Sequence, residues 1–402
     1  MRADAARLRE RIARLSAIGG RGPSVTRLGL TSEEQAAREL VASWLAARGG
    51  AVRRDAAANL FARFGPAEGN VVMTGSHLDS VPNGGRYDGA LGVLCAVEAV
   101  ETLLDAGAPI RGPLEVVGWA DEEGARFGIG LFGSAAAFGR LPPKAAERRD
   151  AGGISIAEAL RALGEAGDPT AARRADVAAY VELHIEQGPH LAGADRALGV
   201  VGDIVGIVHG RVTVTGRADH AGTTPMGARH DALAGAAEMI GALEDAALHR
   251  AGSVATVGEI AVRPGAKNVV PAECAFSVDV RAPDMRSLGA VTRQFRQAMR
   301  LICDARGLRS SLDVFSQVPP TRMDPDLAGL LRRSAAAVGV EAPTLLSGAG
   351  HDTMNAVLAG VPSAMLFVRS HGGSHTPREH ASVEDAALGA SALAIALADL
   401  VA

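Results

Sequence analysis

Aromatic side chains are scarce in this chain: Phe, Trp and Tyr make up 3% of its 402 residues, and no basic stripe interleaves with them. Nucleic-acid binding, which rests on stacking surfaces and a positive footprint, is therefore left without support. Cysteine is nearly absent as well. Cys95, Cys274 and Cys303 are odd in number, far apart and outside any Cys-x-x-Cys spacing. That argues against a disulfide framework and a thiolate zinc site, and points to a reducing cytoplasm. No apolar run reaches the ~20 residues of a membrane span. The longest, from Ala386 to Ala402, is alanine-rich, contains Asp399 and reads as a buried C-terminal helix. The opening residues from Met1 lack the apolar core of a secretory signal, and Asp4 and Glu10 count against a transit peptide.

What is present is a large apolar fraction, 48%, with a net charge of only −4. A chain of this length exceeds what one core usually serves, so two domains are expected. Thr31-Ser32-Glu33-Glu34 fits a capping box, and Ala36, Leu40, Val41, Trp44 and Leu45 share a helical face until Gly49-Gly50 stops the run. Short β-branched runs at 71–74 and 114–119 read as strands, with a helical pattern at 90–104 between them. This alternation indicates an α/β catalytic domain whose sheet is flanked by helices and whose ligands gather at the carboxyl ends of strands. From about Gly206 the pattern changes to alternating strands (211–215 and 275–280) and helices (231–248 and 287–305). The expected organisation is a catalytic domain at 1–205 and 317–402, interrupted by an inserted two-layer α+β lid or dimerisation domain at 206–316. The Ala/Gly/Asp-rich segment 145–176 reads as a surface excursion with a short helix.

Five stretches place metal-seeking side chains beside glycine-rich or acidic turns: Gly75-Ser76-His77-Leu78-Asp79, Tyr87-Asp88-Gly89, Asp121-Glu122-Glu123-Gly124, Glu182-Leu183-His184 and Gly373-Ser374-His375. Each alone has an ordinary structural explanation, such as a capped strand-end histidine, a glycine turn or a solvated acidic pair. Their conjunction after strand ends is what points to a two-metal hydrolytic site. Three imidazoles and two carboxylates suit Zn²⁺, Mn²⁺ or Co²⁺, whereas an all-oxygen set would suit Mg²⁺ or Ca²⁺. Asp79, two residues after His77, is spaced to bond the far imidazole nitrogen and fix its tautomer. Adjacent Glu122 and Glu123 diverge at a strand end, which allows one to ligate metal and the other to act as a general base.

With these motifs the chain resembles the amidase/hydantoinase/carbamoylase family of metallopeptidase-like amidohydrolases. The resemblance runs from about Arg27 to the C-terminus. It is carried by GSHLDSVPNGGRYDGALGV, DEEGARF, ELHIEQGP, ADHAGTTPM, KNVVP, GAGHD and GGSHTPREH. It implies that Asp88 bridges two divalent ions, with His77 and His184 on one and Glu123 and His375 on the other, and that Glu122 is the general base. It also implies substrate contacts at Gln187, His220, Asn268 and Arg281, the last gripping a carboxylate through its guanidinium fork. His220 would further stabilise the developing oxyanion and reach into a partner's site, making a homodimer through the inserted domain.

A histidine at 184, where related peptidases carry a carboxylate, favours ureide or amide substrates over peptides. The implied activity is hydrolysis of an N-carbamoyl-L-amino acid to amino acid, CO₂ and ammonia, with allantoate or a β-ureido acid as alternatives. A catalytically silent binding homologue is the non-enzymatic alternative, against which the intact Glu122 argues. His351, Asp352 and His371 have no assigned role.

Overall fold

The computed structural model describes residues 1–402. The chain forms two compact units, one of residues 1–202 with 322–402 and one of residues 203–321.

The first unit is built on a mixed sheet. Four strands at its centre, Ser363–Val368, Val177–Ile185, Val71–His77 and Leu114–Trp119, lie parallel in that order. Antiparallel strands extend it on both sides: Leu198–Ile204 beside Ser363–Val368, and Leu60–Phe64 then Ala51–Arg54 beyond Leu114–Trp119. Val71–His77, Leu114–Trp119 and Ser363–Val368 are buried along their whole length, as parallel strands covered on both faces must be. The helix Ala90–Asp105, apolar nearly all round, lies in the same core as the C-terminal helix Val383–Leu400. Phe61, Trp119, Phe138 and Tyr180 form a separate cluster, in which the Trp119 indole donates to Tyr180 Oη at 2.9 Å. Helix and strand cores therefore meet in layers with the central strands fixed between them.

The first long helix, Ser32–Ala47, is capped by Thr31, whose hydroxyl accepts from the Glu34 amide at 3.4 Å. The reciprocal half of the expected capping box is replaced. The Glu34 carboxylate accepts from the amides of Leu30 (2.7 Å) and Asp121 (3.0 Å) and pairs with Arg38 at 2.7 Å. The segment 145–176 holds the short helix Ile156–Ala162, but it is more than a surface excursion. Ile156, Ala159, Leu160, Leu163 and Ala172 are buried with Leu30, Phe127 and Phe132 in one cluster.

The second unit is a five-stranded antiparallel sheet with two helices, Ala232–Leu248 and Met285–Arg306, packed on one face around Val212, Val214, Met239, Phe276, Val278 and Phe295. Its long strands Gly206–Thr215, Glu273–Ala282 and Arg309–Val318 alternate in burial, which leaves the other face the more exposed one. No helix of the chain is long and apolar enough to cross a membrane.

Candidate metal centre

The carboxyl ends of adjacent parallel strands bring the first groups together. His77 closes one strand, His184 is the penultimate residue of its neighbour, and Glu122 and Glu123 lie just past Trp119 on the third. Asp88 precedes the helix Ala90–Asp105. Between them, Gly89 has φ of +60°, and a Cβ there would stand 2.3 Å from the His77 ring, so only glycine lets turn and imidazole meet.

Asp88 sits in the middle. Its Oδ1 lies 3.2 Å from His184 Nε2 and 3.7 Å from His77 Nε2, and its Oδ2 lies 3.4 Å from His375 Nε2. His375 Nε2 is also 3.2 Å from Glu123 Oε2. The donors thus fall into two groups that share one aspartate: His77, Asp88 and His184, then Asp88, Glu123 and His375. Glu122 faces the first group, with Oε2 3.7 Å from His77 Nε2. His375 is 49% exposed while His77 and His184 are buried, so the centre is open to solvent on the His375 side.

Two further carboxylates hold the backbone of these turns. Asp79 accepts from the amides of Glu122 and Glu123, each at 3.0 Å, while its Oδ1 lies 3.3 Å from His77 Nδ1. The expected imidazole partner is thus also the anchor of the acidic pair. Glu379 does the same for the shared aspartate, accepting from the amides of Tyr87 at 2.9 Å and Asp88 at 3.0 Å. His184 is oriented through Nδ1, which lies 2.9 Å from the Ile185 carbonyl and leaves Nε2 toward Asp88.

The charges favour cations here. Burial alone would lower the His77 pKa, yet Glu122, Asp79 and Asp88 raise it well above its ordinary value. His184 is likewise raised against burial by Asp88. His375, bonded to Asp88 and Glu123, is pushed up to about 10. Asp88 is held well below the usual carboxylate range, against burial, by the three imidazoles. Burial, reinforced by Asp352, Glu123 and Asp79, pushes Glu122 well up despite His77. Asp88 Oδ1 and Glu123 Oε1 are buried without a hydrogen-bond partner. Orphaned carboxylate oxygens facing crowded imidazoles are what a metal site leaves when only protein atoms are considered, and the nitrogen-oxygen donor set fits a divalent transition ion or zinc.

A third group, Glu182, His184 and His351, is equally close-set. Its donors are already taken. Glu182 accepts from Ser76 Oγ (2.8 Å), Thr353 N (3.1 Å) and Thr353 Oγ1 (2.6 Å), and His351 Nε2 is 2.9 Å from Ser347 Oγ. Burial and the neighbouring His184 hold the His351 pKa well below its ordinary value, and its ring packs edge-on against His184 at 4.6 Å. It forms the wall behind His184. Asp352 is fully buried beside it, and His371 lies outside the cluster, exchanging backbone hydrogen bonds with His380.

Of the expected substrate contacts, only Gln187 belongs to the first unit, and its Nε2 donates to Asp88 Oδ2 at 2.8 Å. The other three are in the second unit. His220 is exposed, and its Nδ1 accepts from the amides of Gly222 (3.0 Å) and Thr223 (3.1 Å). The ring proton therefore sits on Nε2 as an outward donor. The Asn268 carbonyl accepts from Ala221 N at 3.0 Å, which sets Asn268 beside His220. Arg281 pairs with Asp279, Nη2 to Oδ2 at 2.9 Å, and His209 Nε2 lies 3.5 Å from the same carboxylate. Sequence reasoning gave no role to Glu379 or Ser374. The available signal was their place in the same short loop as His375.

Residues 73–399 match the family described as Peptidase family M20/M25/M40. The chain is 42% identical over 396 residues to the N-carbamoyl-L-amino acid amidohydrolase of Geobacillus stearothermophilus, with 96% of each chain covered. It is 36% identical over 389 residues to the allantoate amidohydrolase of Bacillus subtilis (strain 168), with 94% of this chain and 92% of that one covered. A solved amidase of the hydantoinase/carbamoylase family from Burkholderia multivorans superimposes with a TM-score of 0.90 at 35% identity, covering 99% of this chain and 98% of that one. Three parallel strand ends converging on Asp88, in a chain alike over nearly all of its length to these proteins, place it in peptidase family M20/M25/M40 and in the amidohydrolase branch of that family, whose members act on carbon–nitrogen bonds other than peptide bonds.

Proposed function

We propose that the chain hydrolyses an N-carbamoyl-L-amino acid to the free amino acid, CO₂ and ammonia, using two divalent ions, Zn²⁺, Mn²⁺ or Co²⁺. The observation that carries this reading is Asp88, whose two oxygens face separate sets of ligands, His77 with His184 and Glu123 with His375. When bound, such ions lower the pKa of water and polarise the carbonyl under attack. The chain's own residues do the rest. Glu122, beside the cluster but outside both ligand groups, takes the proton from the attacking water as the carbon–oxygen bond forms. It returns that proton to the nitrogen as the carbon–nitrogen bond breaks, and the released carbamate decomposes to CO₂ and ammonia. His220, with its Nε2–H directed outward, supplies a donor for the oxyanion, and Arg281 grips the substrate carboxylate.

Allantoate is the second reading, supported by the 36% identity to an allantoate amidohydrolase. It too has a ureido group and a carboxylate. We further propose that the enzyme works as a cytoplasmic homodimer joined through residues 203–321. The deciding measurement is ammonia release from N-carbamoyl-L-amino acids, N-carbamoyl-β-alanine and allantoate, with and without each metal. Release from the carbamoyl amino acids that disappears with chelator supports the reading. Turnover of allantoate alone transfers it to the second substrate, and no release from any of them removes both.

A further inference from the structure

An aspartate that serves two cations must be fixed in both position and tilt, and the residue that fixes it here is not a ligand. Glu379 is 5% exposed and its carboxylate lies under the Asp88 turn. One oxygen, Oε1, accepts from the Tyr87 amide at 2.9 Å and the Asp88 amide at 3.0 Å. The other, Oε2, is 3.1 Å from Ser374 Oγ, whose single proton goes either to this oxygen or to Asp88 Oδ2. Glu379 therefore holds Asp88 directly through the backbone and shares the Ser374 hydroxyl with its side chain.

The turn is shaped to admit this carboxylate. A Cβ at Gly85 would stand 2.2 Å from Glu379 Oε1, 2.3 Å from its Cδ and 2.6 Å from its Cβ. The last two atoms cannot swing away without withdrawing the whole side chain, so position 85 is a cradle that any other residue would fill. Across the site, Asp79 holds the amides of Glu122 and Glu123 in the same way. Neither clamp belongs to a ligand group; each accepts from two consecutive backbone N–H groups.

We propose that Glu379 is a positioning residue that presets Asp88 to bridge two metal ions, and that Gly85 exists to make room for it. The inference rests on the two-ion reading of the centre. Glutamine at 379 can keep an oxygen on the two amides and turn its NH₂ toward Ser374 Oγ, so the clamp survives without its charge. Alanine removes it, and alanine at 85 expels it.

The test uses the full chain, stripped with chelator and dialysed against Co²⁺, with bound metal and the visible Co²⁺ spectrum as readouts. Wild type and Glu379→Gln should take up two ions per chain with matching spectra. Glu379→Ala and Gly85→Ala should each lose about 10- to 100-fold in affinity, the usual effect of removing a group that orients a ligand. The double variant should be no weaker than Glu379→Ala alone, since both changes remove one interaction. If Glu379→Ala does not fold, Glu379→Asp makes the same comparison, because a carboxylate one methylene shorter keeps the charge and misses the amides. Undiminished uptake of two ions by Glu379→Ala or Glu379→Asp overturns the inference, as do effects at 85 and 379 that multiply. Wild type that binds fewer than two ions overturns the two-ion reading and takes this inference with it.

Discussion

At the scale of single residues, the division of labour between Glu122 and Glu123 is the sharpest claim. They are neighbours, yet Glu123 lies 3.2 Å from His375 while Glu122 stands outside both ligand groups, partly buried among like charges. Glu122→Gln should therefore retain two ions by metal analysis while turnover falls about 10²- to 10⁴-fold, the range general acid–base groups contribute. Near-normal turnover in that variant would remove Glu122 from the mechanism. His77, Glu123 and His184 were readable as candidate ligands because each lies at or just past the end of a strand-like run, and Asp88 and His375 because each lies in a glycine-rich turn. The clamps were not. Asp79 and Glu379 act mainly on backbone amides, and an amide leaves no residue type in the sequence to pair with. A second prediction concerns Asp279, where burial raises the pKa but bonds to His209 and Arg281 prevail and hold it at about 2. An unfolded aspartate titrates near 3.9, so the stabilisation is complete above that value and fades as pH falls toward 2. By far-UV circular dichroism, the urea midpoint of Asp279→Asn should trail wild type at pH 5 by a gap that narrows steadily as pH falls toward 2. A gap that stays constant would sink the assignment.

At the scale of elements, the helix Ala90–Asp105 shows what propensity alone conceals. It is buried nearly all round, yet it carries Glu98 and Glu101 inside the core. Their charges are met by the N-terminal helix Ala5–Ser16: Arg7 Nε lies 2.7 Å from Glu98 and 2.9 Å from Glu101, and Arg11 Nη2 lies 2.7 Å from Glu101. Arg11 is only 10% exposed and also packs over the Trp44 ring at 5.2 Å. Removing Arg11 leaves Glu98 and Glu101 to Arg7 alone, and the lost charged hydrogen bond costs about 1.5–3 kcal/mol. Arg11→Met should lower unfolding stability by that amount in urea, followed by tryptophan fluorescence; a change below about 0.5 kcal/mol would place the pair among ordinary surface contacts. The helix was readable from its apolar pattern at 90–104, but nothing local in the sequence pairs its carboxylates. Only the partner helix, distant in sequence, shows why they are inside.

At the scale of the whole molecule, the chain carries two separate cores, one for residues 1–202 with 322–402 and one for residues 203–321. The sequence marked this division through its change from α/β to antiparallel patterning, while the exact boundaries, with residues 203–205 and 317–321 in the second unit, depend on pairing that no local signal encodes. All five residues proposed as metal ligands are in the first unit, and so are Trp44, Trp119, Tyr87 and Tyr180, which are all of the chain's tryptophans and tyrosines. Fluorescence therefore reports on the metal-binding unit alone, whereas circular dichroism at 222 nm reports on both through their helices. Ions that bind only the folded first unit stabilise it by RT ln(1 + [L]/Kd), about 2.7 kcal/mol at a hundredfold excess over Kd. Adding Zn²⁺ or Mn²⁺ to chelator-treated protein should raise the fluorescence-detected melting temperature. The dichroism curve should separate into a shifted and an unshifted component as the unit at 203–321 melts at its former temperature. If both probes move together by the same amount, the two cores unfold as one, and the second unit gains from the ions through coupling to the first. If neither moves, the cluster around Asp88 does not hold metal, and the hydrolytic reading falls with it.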